Sequence, residues 1–571
     1  MRINRIPFIN FSIIVDGWVH AIFITLAIVF LSISEVYSQD GKDWEGDGEI
    51  ENVEIEIVKE RQITLPKANR NFEKIPPRAS EPIKPPITYD FRSFSFQAPQ
   101  INAQIRPLKL RQEQSSKVYG GYLRLGFGNY VSPLLEGYIN TTRDRDKLVG
   151  AHVYHNSSDK GPVDGRNSGS GSSGISLFAK SFNESLAFSG TGGFENRTTH
   201  FYGYPEGQEV NASDIKQSFN RIRLSGDVSN TKNSDFSYKL GAGFSYLTDK
   251  YSARETEVGF NFKSAYELGE DSKIHLKADY YIISRKDEAI AVKPRNLFIV
   301  APSYEIIPID EFKVSVGLIA AFENDTIDSK SVHIYPDIKA TYPLTPSIDV
   351  VATLTGGIEK VSLLSMSYEN LWLGPNIPIF HTNKALDFGV GLNAKLGNKV
   401  SAHTGLSFAS LKNLYYFVNS TFDQAKFTTV YDGGAGTKRT NFYAALSYAQ
   451  SETAKIMLRG DYFGYGTSTI TEAWHRPTYR LTVNGSYNLY DKILFTADLI
   501  TQGGMRALDP VTDNTVKLDA AFDLNFKAEY LFSKSFSAFL QFNNITSTKY
   551  PIFLHYPVRG FQIMGGITWS F

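Results

Sequence analysis

From about residue 118 to the end, one pattern recurs: a run of roughly ten residues alternating apolar and polar, then a polar turn. A strand points successive side chains to opposite faces, so such a run has one apolar and one polar face. Over residues 221–228, Ile222, Leu224 and Val228 share a face, and Arg221, Arg223, Ser225 and Asp227 share the other. Over 273–282, Ile274, Leu276, Ala278, Tyr280 and Ile282 oppose Lys273, His275, Lys277, Asp279 and Tyr281. Near the end, Val516, Leu518, Ala520, Phe522, Leu524, Phe526, Ala528 and Tyr530 oppose Lys517, Asp519, Asp523, Asn525, Lys527 and Glu529, and read as one long strand. Strands of soluble sandwiches average only ~5–6 residues. A tilted strand crossing a bilayer needs ~9–11. Lipid leaves no partner for an open sheet edge, so a sheet can span only by closing on itself. The expected fold is all-β: a transmembrane antiparallel β-barrel of about 22 strands, an even number, with an apolar outside and a polar lumen.

Turn lengths sort into two classes, as the two ends of such a barrel require. Residues 182–185, 268–272, 397–399, 451–454 and 532–536 read as short turns. Residues 159–174, 195–217, 286–294, 359–383 and 411–438 read as long loops between them. The short turns are expected on the periplasmic side and the long loops outside the cell.

Composition fits. The chain has 571 residues, with 40 Phe and 32 Tyr, and the aromatic excess belongs on the lipid-facing and interfacial surface. No cysteine is present, which removes disulfides, thiolate metal sites and thiol nucleophiles. Lys+Arg and Asp+Glu balance at 59 each, giving no general electrostatic drive toward nucleic acid. A mean hydropathy of −0.23 argues against a polytopic helical membrane protein.

Both ends carry export signals. Arg2 and Arg5 precede an apolar stretch over 21–33, and Val36 and Ser38 suit signal-peptidase cleavage, so residues 1–38 read as a secretory signal. Residues 39–117 form an acidic, then Pro-rich, segment expected on the periplasmic side as a plug remnant or tether, and 118–571 form the barrel. At the other end Phe561, Ile563, Gly565, Ile567, Trp569 and Phe571 share one face of an extended strand. Phe561, Ile563, Ile567, Trp569 and Phe571 are therefore the candidate signal for outer-membrane insertion machinery.

The barrel pattern, residues 123–137 (LRLGFGNYVSPLLEG), residues 199–205 (THFYGYP), and the close over 522–550 into 556–561 (YPVRGF) resemble the barrel of TonB-dependent receptors, especially those of Bacteroidota. Residues 50–63 (IENVEIEIVKERQI) resemble the strand that begins such receptors' plug. The resemblance implies an outer-membrane location and a role in solute binding or transport. The chain departs from it before the barrel. No arginine-glycine-proline segment, glycine-rich plug close or TonB box is identifiable, so a full plug domain is missing from the pattern.

Motif searches return no catalytic site. Gly169-Ser-Gly171-Ser-Ser-Gly174 matches a dinucleotide-binding pattern by letters, but no strand–helix unit surrounds it and it reads as loop. Residues 433–438 (GGAGTK) lack the order of a P-loop. His152 and His155 fall on opposite faces of a strand, a poor geometry for joint ligation. Asp519 and Asp523 alternate with lysines, as a solvated lumen wall does. We expect no enzyme activity, cofactor or metal. The candidate ligand or partner loops are marked by aromatics: His200, Phe201, Tyr202 and Tyr204; Trp372; and Tyr415 and Tyr416. The expected function is solute binding or transport across the outer membrane. The alternative is a barrel serving as structural or assembly partner in an outer-membrane complex. Expected partners are outer-membrane lipid, the insertion machinery, an unidentified solute and a periplasmic or surface protein, but no nucleic acid.

Overall fold

A computed structural model describes residues 118–571, apart from 143, 232–233, 290–292, 310, 326, 328–329 and 452. The segments read as 1–38 and 39–117 lie outside the described residues. A single 22-stranded sheet closes on itself. Each strand pairs antiparallel with its neighbours, and the first strand, Gly121–Gly128, pairs with the last, Gln562–Ser570, from Tyr122 opposite Ser570 to Gly128 opposite Met564. Gly121 N–H donates to the Phe571 carbonyl at 2.9 Å and Phe571 N–H returns a bond to Gly121 at 3.0 Å. With this seam made, the sheet has no edge to leave unpaired in lipid.

The alternation sets the two faces. Leu177, Leu224, Leu318 and Ile334 point outward and are 60 %, 54 %, 57 % and 70 % exposed. Exposed apolar area on this scale is stable only against hydrocarbon, so this wall crosses a membrane. Tyr530, Phe532, Phe536, Trp569 and Phe571 cluster on the outside near the chain ends, with the Trp569 and Phe571 rings 4.6 Å apart and Tyr530 and Phe532 4.9 Å apart. This is the aromatic girdle expected at a membrane interface.

Loop lengths separate by end. Strand boundaries leave turns 183–185, 268–271, 346–347, 397–399 and 490–492 beside the chain termini. Loops 159–169, 201–215, 360–381, 413–436, 504–520 and 544–561 gather at the opposite, extracellular end. Three hairpins outside the main sheet lie within those loops: Tyr415–Asn419 with Phe427–Tyr431, Arg506–Leu508 with Thr515–Lys517, and Pro551–Phe553 with Tyr556–Pro557.

Three readings of the sequence change. The long alternation from Val516 to Tyr530 is two elements, since Thr515–Lys517 belongs to a loop hairpin and the barrel strand is Ala521–Leu531. Leu518 is the reason: it is buried in a loop cluster with Met505, Ala507 and Leu554, and its N–H donates to the Met505 carbonyl at 3.0 Å. Asp519 consequently sits in an exposed break, while Asp523 stays on the strand. The Gly/Ser run is not all loop, because Ser170–Phe182 is a strand paired on both sides. Glycine is needed there, since a Cβ on Gly174 would lie 2.5 Å from the Tyr154 ring. The strand Leu186–His200 likewise continues past Glu195, so the following loop is 201–215.

Because the wall turns its apolar face to lipid, the largest buried core lies in the loops. It joins Phe201, Tyr202, Ala253, Val361, Leu363, Met366, Trp372, Leu373, Ile377, Ile379, Phe417, Ala425, Phe427, Phe553 and Tyr556 with the wall residues Phe219 and Leu247. Rings as distant in the chain as Tyr202, Trp372 and Tyr556 thereby meet over the mouth of the barrel.

Candidate functional site

The centre of this cap is loop 360–381. Its short helix, Leu363–Glu369, starts at a capping box in which Ser362 and Ser365 each accept the other's backbone N–H. The remaining free N–H groups at that end meet the barrel wall. Glu255, 2 % exposed at the start of the strand Arg254–Glu267, accepts from Leu363 N–H at 2.8 Å and Leu364 N–H at 2.9 Å. A carboxylate at a helix start satisfies orphan donors and favours the local dipole.

Further along the wall, Arg295 donates to both oxygens of Asp325, at 2.8 and 2.6 Å, and to the Val361 carbonyl at 3.0 Å. Its Nη2 also lies 2.8 Å from His381 Nδ1, which accepts Val361 N–H at 3.1 Å. That nitrogen is therefore an acceptor and the ring is neutral. Burial, then the Arg295 charge, bring the His381 pKa down to about 4. Burial opposes ionisation of Asp325, but its bonds to Arg295 outweigh that and hold its pKa low. Arg285 pairs with Asp287 at 2.5 Å and donates to the Ile377 carbonyl at 2.7 Å. Lys360 pairs with Glu257.

The helix reaches the far wall through Tyr368. Arg197 stacks on its ring with the guanidinium carbon 4.3 Å from the centroid, Arg221 donates to its hydroxyl at 3.1 Å, and that hydroxyl donates to Glu195. Loop 360–381 thus leaves the wall between the strands Ile348–Glu359 and Thr382–Leu396 and crosses the mouth to Leu186–His200 and Lys216–Asn230.

Other loops lock over it. Trp372 packs against Tyr556 at 4.3 Å and Tyr202 at 5.7 Å, and its indole N–H donates to the His200 carbonyl at 3.0 Å. Arg476 donates to Glu369 at 2.9 Å, and Tyr415 donates to the same carboxylate at 2.6 Å. His475 Nδ1 donates to the Phe417 carbonyl at 2.8 Å while Nε2 accepts Leu554 N–H at 3.2 Å, so one neutral imidazole ties two loops. Burial lowers its pKa to about 4.

The aromatics chosen from the sequence fall inside this cap. Phe201, Tyr202, Trp372 and Tyr416 are 1 %, 7 %, 8 % and 0 % exposed, so their rings pack against protein rather than stand open to a ligand. Tyr204 and Tyr415 stay half-buried, and Tyr204 donates to Asp164 at 2.7 Å. The His200 ring contacts the Gly169 carbonyl at 2.6 Å. Loop composition could not tell buried rings from exposed ones, because burial depends on loops far apart in the chain. The anchoring residues Glu255, Arg285 and Arg295 sit at strand ends and read as ordinary lumen charges. At the C-terminus, Ile563, Ile567 and Trp569 point outward on the last strand, with Phe561 and Phe571 at its two ends. Among the described residues, no cluster of His, Asp and Glu suits a metal ion.

No family model matches the chain, and no curated protein matches its sequence. Solved structures do match its shape. The FrpB iron transporter from Neisseria meningitidis superposes with a TM-score of 0.62 at 12 % identity, over 80 % of this chain and 82 % of that one. The siderophore receptor PirA from Acinetobacter baumannii gives 0.62 at 10 % identity, over 80 % and 81 %. The ferric-catecholate import receptor Fiu from E. coli K12 gives 0.60 at 9 % identity, over 80 % and 82 %. The chain shares their fold, a closed antiparallel barrel of 22 strands. A barrel of 22 strands with an apolar outer wall lies in the outer membrane, its long loops facing outward.

Proposed function

We propose that this receptor-like barrel binds a solute from outside and passes it across the outer membrane under control of its loop cap. The observation that carries this reading is loop 360–381, held across the mouth by buried contacts to the wall on one side and by the half-exposed Tyr368 on the other. Water can take over the polar anchors when the cap opens, and the shared apolar core makes loop 360–381 move together with the loops packed on it. Capture then belongs to the outer face of the cap, where Tyr204 and Tyr415 keep part of their rings accessible, and release to the lumen. No catalytic step is assigned. The outward face of the last strand, with Phe561, Ile563, Ile567, Trp569 and Phe571, serves as the insertion signal, and the segment 39–117 as a periplasmic tether.

The same contacts favour a second reading, a permanently closed barrel that scaffolds a periplasmic or surface partner. Single-barrel conductance in planar bilayers separates the two. Solute passage through a gated lumen predicts small conductance for the full chain and a large step after residues 363–379 are replaced by a short Gly/Ser linker. A linker variant that folds yet stays closed, in a chain that co-purifies stoichiometrically with another protein, overturns transport and supports the scaffold.

A further inference from the structure

Below the cap, the lumen wall carries a row of like charges that folding alone does not favour. Lys239 lies directly opposite Lys263, and Lys263 directly opposite Lys277, on three adjacent strands. All three face the lumen, beside a recess of about 600 Å³. Like charges directly opposite each other destabilise a sheet. The outer two are relieved by neighbours on their own wall, Lys239 by Asp227 and Lys277 by Asp279, each at 3.1 Å. The central Lys263 has no carboxylate partner among the described residues. Arg223, at the top of the same recess, has none either, since Glu257 in its row is taken by Lys360 of the cap.

Between these two cations the wall carries two rows, Gly243 and Gly259 flanked by Ser225 and Tyr281, then Gly241 and Asn261 flanked by Asp227 and Asp279, whose carboxylates are already held by Lys239 and Lys277. Gly243 faces the lumen opposite Gly259. A Cβ on Gly243 would meet nothing nearer than the Leu224 carbonyl at 3.9 Å, and its φ is not in the left-handed region. Neither packing nor backbone conformation calls for glycine there, and mid-strand glycine weakens a sheet. What it does is keep the recess open.

We propose that this recess is an anion site, taking a multiply charged anion of the phosphate or polycarboxylate kind over Gly243 between Lys263 and Arg223. Six residues along the strand, roughly 20 Å, separate the Arg223 row from the lysine row. With the long Lys and Arg arms reaching inward, the ligand that fits is extended and charged at both ends. Its charge relieves the lysine row, and the cations give the lumen a binding step of the kind charged rings give selective pores. The proposal rests on the reading of the lumen as a solute path, and names the solute's class.

The test uses the full chain, folded in detergent, with tripolyphosphate, citrate and neutral glucose as probes. Thermal unfolding is followed by loss of the compact, heat-modifiable form on gels. The wild type is expected to gain a saturable rise in midpoint with one or both anions and none with glucose. The stronger of tripolyphosphate and citrate decides between the phosphate and carboxylate sources. Lys263→Gln is expected to start at an equal or higher midpoint without anion, because the repulsion is gone, and to bind the anion at least ten-fold more weakly. Gly243→Leu fills the recess and abolishes the response. An equal affinity in Lys263→Gln, or a midpoint that follows sodium chloride of matched ionic strength, overturns the site. Binding is read on a closed, non-conducting barrel, so failure of transport leaves this result standing, and the reverse.

Discussion

At the residue scale, the cap depends on a few side chains whose protonation and pairing are set by burial. Glu255 closes two backbone donors from 108 and 109 residues away. Glu255→Ala strands both N–H groups in a dry site, at about 1–3 kcal/mol each. Protease cleavage within 360–381 is expected to speed up ten-fold or more, while the heat-modifiable barrel persists. His381 and His475 set a pH dependence. Released from the cap, each imidazole binds a proton below about 6.5, but in the cap each stays neutral down to about 4. The released state therefore takes up protons first as pH falls. The two imidazoles' contribution to cap stability is constant above about 7, drops between about 6.5 and 4, and levels off below that. Arg295 and Lys360 around His381 and Arg476 beside His475 reinforce the direction, since each repels an added proton, and Asp325 only partly offsets it. Hydrogen exchange of the loop amides between pH 7.5 and 5 checks this. His381→Gln with His475→Gln should flatten the profile, and an unchanged slope would refute the assignment.

At the element scale, the loops behave as one layer because they share one core. Trp372 contacts rings from loops 201–215 and 544–561 as well as its own surroundings. Trp372→Ala removes a large buried side chain at a cost of about 3–5 kcal/mol. Protection from exchange is expected to fall together in 201–215, 413–436 and 544–561, whereas a loss confined to 360–381 would show that the loops fold independently. The strands themselves were largely legible in the sequence. Ile222 and Leu224 against Arg221 and Arg223, or Ile274 and Leu276 against Lys273 and Lys277, point where alternation placed them, because a strand's facing is a local property. The failures have a common cause. Leu518 keeps the apolar rhythm but spends it on a loop core, and Phe201, Tyr202, Trp372 and Tyr416 look like loop aromatics yet are interior.

At the scale of the whole molecule, closure rests on the seam between the first and last strands. Gly566, opposite Gly126, faces the lumen there. A Cβ on it would lie 2.2 Å from the Leu125 carbonyl oxygen and 2.4 Å from the Phe539 ring. Gly566→Val should block the seam and abolish the compact, heat-modifiable form, and a variant that migrates like the wild type would show closure to be tolerant there. The alternation, the sorting of short and long turns and the apolar outer wall were determined by the sequence itself, since each follows from backbone geometry over ten residues in contact with lipid or water. The pairing of Leu123 with Trp569, the crossing of the mouth by loop 360–381, and the lysine row beneath it were decided only by tertiary structure. The first two join residues far apart in the chain, the lysine row joins consecutive strands at one register only, and no local pattern carries the register that brings them together.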